Sequence, residues 1–187
     1  MKKASLLFSF VAVFGISSLY AQGDSESQTH TVAISIPNIA ILDIETTADE
    51  DVTFNLDATG LEAGEEFVID EENADLWINY TSILGASGNQ RSITVESTSV
   101  PSITGLTLKV IASSHSGNGG GTIGTPTAVV TPSLVPTNVI TGIGSAFTGN
   151  GNSNGHNLTY YLDFTGDFSD LNATAIPVIA MTYTITD

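Results

Sequence analysis

The chain has 187 residues, no cysteine, and 20 acidic side chains against four basic ones. Two of the basic residues, Lys2 and Lys3, lie at the N-terminus, so the 166 residues after position 21 carry a formal charge of −18. A polyanion of this size repels nucleic acid and anionic membrane, which excludes both as partners. Without cysteine the protein has neither disulfides nor a lipid-modified N-terminal cysteine. Its fold must therefore rest on an apolar core, for which this length is sufficient.

Residues 1–21 have the features of a secretory signal peptide. Lys2 and Lys3 precede an apolar run from Leu6 to Ile16, and Ala21 is a small residue at a suitable cleavage position. The run is too short to cross ~30 Å of hydrocarbon. We therefore predict an exported protein, secreted or held at the cell surface, that is neither a lipoprotein nor inserted in the membrane. Residues 22–29 are predicted to form a flexible polar leader, and residues 30–187 a single domain.

The most strand-like stretch of the chain is the segment 30–36. Every second residue in it is a large apolar one: Val32, Ile34 and Ile36. Pro37 interrupts the pattern, and a second apolar run follows at 39–44. We expect the segment 30–36 to pair within its own domain, beside the closing strand 176–186 or its hairpin partner. Pairing with a neighbouring copy of the chain is the alternative.

The remaining chain alternates between short apolar patterns of period two and turn-forming stretches. Strands are predicted at 52–55, 66–70, 75–81, 91–97, 106–110, 127–131, 137–141, 158–164 and 176–186. The strands 75–81 and 91–97 are expected to form a hairpin, and Trp77 is expected to be buried between aliphatic neighbours. The Gly- and Asn-rich stretches 113–126 and 142–157 are predicted to be loops. No helical period is present. The pattern predicts an all-β fold, an immunoglobulin-like two-sheet β-sandwich with Greek-key connections, with a jelly roll as the alternative topology.

Few residues suggest site chemistry. Three carboxylates, Asp163, Asp167 and Asp170, surround one turn and form a calcium candidate, although solvated turns share this composition. His115 and His156 lie in the two Gly-rich loops, which would allow them to meet at one end of the sandwich, but solvent-exposed histidines are the expectation. Neither a Gly-x-Ser-x-Gly motif nor a defined carboxylate pair is present. We therefore expect no enzyme activity and no cofactor apart from the candidate calcium ion.

Several motifs carry a resemblance to other proteins. The opening His-Thr-Val-Ala-Ile-Ser-Ile-Pro, the central Leu-Trp-Ile-Asn-Tyr-Thr-Ser and the terminal Met-Thr-Tyr-Thr-Ile-Thr-Asp are similar to small secreted β-sandwich proteins of Bacteroidota-type bacteria. The polar leader, the alternating segment after it and Tyr183 near the end of the closing strand also resemble, more loosely, pilin-like subunits of the chaperone–usher kind. That resemblance implies that one subunit donates its N-terminal strand to the next.

These features predict a secreted, non-enzymatic structural or adhesive surface protein, pilin-like in assembling by β-strand addition. Its expected partners are copies of itself or other surface-fibre subunits. The alternative is an extracellular binding module for carbohydrate or calcium that uses the two Gly/Asn-rich loops, in which case the partners include glycans.

Overall fold

The computed structural model describes residues 27–46, 50–173 and 178–186. The predicted signal peptide 1–21 and residues 22–26 of the predicted leader lie outside these ranges. The chain divides into two compact units, Met1–Ser35 and Ile36–Asp187. Within the first unit, the described residues 27–35 form neither strand nor helix, and their side chains are exposed. No helix in the described ranges is long and apolar enough to cross a membrane.

The second unit is a β-sandwich, which confirms the predicted all-β class. Its strands are β1 (Ile39–Glu45), β2 (Glu72–Ile83), β3 (Arg91–Ser97), β4 (Leu106–Ala112), β5 (Gly120–Gly121), β6 (Thr125–Pro126), β7 (Thr137–Ile143), β8 (Ala146–Phe147), β9 (His156–Phe164) and β10 (Met181–Thr186). One antiparallel sheet has the order β4-β9-β2-β8-β5, and β1 pairs with β2. The other sheet has the order β10-β3-β7-β6. A 3-10 turn, Phe168–Asp170, follows β9.

The core lies between the two sheets because alternate side chains of each strand point inward. In β2 the inward positions are Leu76, Ile78 and Tyr80, all buried, and in β3 they include Ile93 and Val95, which are inaccessible to solvent. Strands β4, β7 and β9 complete this cluster with further buried aliphatic residues and Tyr160. The period of two in the sequence therefore matches the alternation between core-facing and outward-facing side chains in the long strands, although for β2 it does not show which of the two faces is the core face.

The predicted strand at 30–36 is wrong. Residues 27–38 form no strand, and regular pairing begins only at Ile39, after Pro37. Because residues 27–38 form no strand, the predicted pairing of this segment with the closing strand or its hairpin partner is absent among the described residues. Its three apolar side chains are largely exposed: Val32 at 74%, Ile34 at 85% and Ile36 at 74%. Alternation of apolar and polar residues shows that a segment suits a pleated sheet. It forms a strand only where a neighbouring strand offers free backbone hydrogen-bonding groups.

The predicted hairpin of 75–81 with 91–97 is wrong as well. Strand β2 belongs to one sheet and β3 to the other, so the connection between them crosses the sandwich. Trp77 faces away from the core and is only half-buried, because the inward positions of β2 are the even-numbered ones.

Three of the predicted short strands do not form as such. Residues 50–71 contain no strand, although Val52 and Phe54 still pack against the core. The predicted strand at 127–131 is reduced to one bridge, between Val130 and Val110. The immunoglobulin-like topology itself stays a prediction.

Candidate functional site

The candidate site is one side of the sandwich, where β1 and β10 lie next to each other as the outer strands of the two sheets. Among the described residues, β1 pairs only with β2 and β10 pairs only with β3. Each strand therefore has a second backbone edge that no described strand occupies. We call this region the open side.

The core is incompletely covered at the open side. Met181, Tyr183 and Ile185 of β10 face the core but are half-buried, whereas the threonines between them are exposed. Leu42 and Ile44 of β1 are half-buried in the same way. Apolar side chains at the ends of both sheets thus keep part of their surface outside the core, where further apolar contact would stabilise them.

Tyr183 fixes β10 to the opposite sheet. Its hydroxyl lies 2.6 Å from the hydroxyl of Tyr160 on β9. Burial raises the pKa of Tyr160 to about 12, and burial likewise raises the pKa of Tyr183 well above its ordinary value, so both phenols stay protonated. The open edge of β10 is therefore held in place by a buried contact between the sheets.

The two edges differ in charge. β10 has the sequence Met-Thr-Tyr-Thr-Ile-Thr, with no charged residue and no proline, whereas β1 carries Asp43 and Glu45. Natural proteins protect exposed edges with charges, prolines or bulges. By this criterion β1 is protected against pairing with another chain, and β10 is not.

No protein family, curated protein or solved structure matches this chain. The chemistry of the described residues is therefore the basis for each proposal below.

The three predicted calcium ligands are not brought together. Asp163 forms an ion pair with Lys109, which raises the pKa of that lysine, chiefly through the hydrogen bond. Asp167 accepts a hydrogen bond from the backbone of Ser169 at 3.2 Å, and Asp170 accepts one from the backbone of Asp167 at 3.2 Å, so both carboxylates cap the 3-10 turn. Within the described ranges no group of three or more His, Cys, Asp or Glu side chains is placed to hold a metal ion. Calcium binding stays a prediction.

His115 and His156 lie close together, with ring centroids 5.9 Å apart, as their placement in the two Gly-rich loops allows. The expected solvent exposure is wrong for His156, which is completely buried. Its Nδ1 lies 2.8 Å from the carbonyl of Ser113, which can only accept, so Nδ1 carries the proton. Its Nε2 lies 3.3 Å from the Tyr80 hydroxyl, which in turn accepts a hydrogen bond from the backbone of Gly124. The residues 142–157 show no apolar period of two, so the sequence predicts a loop there. Nothing in that pattern indicates that His156 is buried.

Acid should destabilise the protein through His156. Burial, and to a lesser degree the nearby His115, lowers the pKa of His156, whereas in the unfolded chain the imidazole titrates near its ordinary value of about 6.5. The unfolded state therefore binds more protons below that pH, so the free energy of unfolding should be flat above pH ~7 and fall as the pH drops toward ~5.

Urea titrations at several pH values test this prediction. The variant His156→Gln should lose most of the slope between pH ~7 and ~5.5, a window above the titration of ordinary carboxylates. His30→Gln, which changes an exposed histidine, should retain the wild-type slope. An unchanged slope in His156→Gln would show that the acid sensitivity arises elsewhere.

Proposed function

We propose that this protein is an exported, non-enzymatic structural or adhesive surface protein whose copies assemble by β-strand addition. In this assembly the segment 30–36 of one copy pairs with β10 of the next copy. The observation that carries the proposal is the uncharged edge of β10, which no described strand occupies and along which three core-facing side chains remain half-covered. Export through the predicted signal peptide is part of the same proposal.

The strand order supports this proposal. An immunoglobulin-like sandwich has strands A, B, E and D in one sheet and C, F and G in the other. In the immunoglobulin-like topology that we predict, β1, β2, β9 and β4 would take the first order and β3 and β10 would be C and F, while β7 and β6 extend the second sheet beyond β3. No described strand stands beside β10 where G would be. A strand from a neighbouring copy would complete that sheet.

The segment 30–36 has the properties that this position requires. At about 3.3 Å per residue its seven residues span about 23 Å, close to the roughly 20 Å of β10. Its three alternating apolar residues match in number the three core-facing residues of β10. Apart from His30 it carries no ionisable side chain, so two molecules of strongly acidic character would meet there without direct repulsion.

Exchanging the central apolar residue of the segment tests the proposal. In the chain of residues 22–187, Ile34→Asp should abolish assembly, because it places a charge against the core of the next copy. The wild type should form species that grow with concentration and survive SDS without heating. Light scattering after size exclusion, together with unheated SDS gels, measures both.

The matched control is Val68→Asp, because Val68 is also exposed, at 69%, and lies in a strand-free segment. This control should assemble like the wild type. A wild-type protein that remains monomeric at all concentrations, or an Ile34→Asp variant that assembles normally, would refute strand addition.

A further inference from the structure

A separate pocket lies on the outer face of the sheet that contains β1, β2 and β8. Its volume is about 340 Å³. On the β1 side it is lined by Ile41 and Asp43, and on the other side by Phe147 and Asn150. Register pairing explains this arrangement: Thr81 of β2 stands between Ile41 and Phe147 and forms part of the floor.

The aromatic side of the pocket is open to a ligand. Phe147 is 53% exposed, and Ile41 on the other side of the pocket is 62% exposed, so both leave apolar surface available to a ligand. Phe147 lies against Gly120 of β5, where an added Cβ would stand 3.0 Å from the ring. The missing side chain at Gly120 thus gives the ring its position on the sheet.

The polar side of the pocket is held by hydrogen bonds. Asn79, buried in the pocket floor, donates through Nδ2 to the carbonyl of Gly151 at 3.2 Å. The backbone of Tyr80 donates to Thr148 Oγ1 at 2.9 Å, and Asn154 donates to the carbonyl of Asn150 at 2.9 Å. The loop 148–154 is therefore braced from both sides, and a pre-formed wall of this kind reduces the entropy lost on binding.

We propose that this pocket binds a neutral carbohydrate. One apolar face of a pyranose ring suits the exposed Phe147, and its hydroxyl groups suit the Asp43 carboxylate and the Asn150 amide, which are the polar side chains at the rim. The pocket volume of about 340 Å³ is at the lower end of the range of small-molecule sites. Asp43 is the only charged residue among the described residues that line the pocket, and its negative charge disfavours anionic sugars. This binding does not depend on strand addition.

Calorimetric titration of the chain 22–187 with cellohexaose, mannohexaose, xylohexaose and chitohexaose tests the proposal. At least one of these sugars should bind with a Kd below ~10 mM. Phe147→Ala should weaken that binding at least about tenfold, and Asp43→Asn should weaken it about threefold or more. Phe147→Tyr, which keeps the ring, should bind like the wild type.

Phe168→Ala is the matched control, since Phe168 is 54% exposed and lies away from the pocket. It should change the Kd by less than about twofold. Failure of all four sugars to bind, or equal binding by wild type and Phe147→Ala, would overturn the proposal. If Phe147→Ala fails to fold, Asp43→Asn decides, because its side chain is on the surface. Binding of an apolar peptide instead would assign the pocket to a protein partner.

Discussion

Replacing Arg91 by methionine is expected to lower the free energy of unfolding by about 3–5 kcal/mol. The Arg91 side chain is buried at the point where the chain enters β1. Its guanidinium donates to the carbonyl of Ile39 at 2.5 Å, to Ser82 Oγ at 2.9 Å and to the carbonyl of Ile83 at 3.3 Å, and also to Asn38 Oδ1. Methionine keeps the apolar stem but leaves the buried Ser82 hydroxyl and the partly buried carbonyls of Ile39 and Ile83 without this donor.

The matched control for Arg91 is the other basic residue beyond the predicted signal peptide, Lys109. It forms a single, partly exposed ion pair with Asp163. Pairs of this kind contribute little, so Lys109→Met should destabilise the protein much less than Arg91→Met. Urea unfolding at a concentration where the protein is monomeric measures both variants. A loss below about 1 kcal/mol in Arg91→Met would show that the buried hydrogen bonds do not fix the start of β1.

Gly155→Ala is expected to have the second large effect, a loss of about 3–5 kcal/mol. Gly155 has a φ of 81° and lies so close to β2 that an added Cβ would stand 2.1 Å from the carbonyl oxygen of Ile78. The backbone must therefore move away from β2. The loop that forms one wall of the sugar pocket ends at this point, so the pocket should be disturbed as well.

Gly151→Ala separates the cost of a positive φ from the cost of a steric clash. Gly151 has a similar φ of 88°, but an added Cβ meets nothing within 4 Å. Its cost should therefore be only that of the left-handed conformation, about 1–2 kcal/mol. Thermal unfolding of both variants measures the difference. Equal losses of stability in the two variants would mean that the backbone near Ile78 moves away from the added Cβ without a measurable cost.

The long strands were predictable because burial of one face leaves a period of two in the sequence. β3 and β9 lie close to their predicted bounds, and the core faces of β2 and β10 follow the alternation. The pairing partners of the strands were not predictable. The alternation of apolar and polar residues describes a single strand and gives no information about the strand beside it. The segment 30–36 is the clearest case: its pattern is as regular as that of β10, yet it forms no strand.

The buried Arg91 and the pocket at Phe147 depend even more than the strand pairing on contacts between residues far apart in the sequence. The burial of Arg91 could not be predicted, since a lone basic residue in an acidic chain usually lies in solvent. The pocket was missed because Phe147 stands within a Gly-rich stretch, and only sheet pairing places it near Asp43. The charge-free sequence of β10, by contrast, is readable without a structure, and it is the feature on which the proposed assembly rests.

The most direct test of strand addition uses a chain that lacks residues 22–36 and a synthetic peptide of residues 28–38. At a peptide concentration of ~100 Kd the Tm should rise by about 5–10 °C, and the β10 amides that do not donate to β3 should become protected from hydrogen exchange. The same peptide with Ile34→Asp should have neither effect. An unchanged Tm together with unprotected β10 amides in the presence of the wild-type peptide would contradict strand addition at β10.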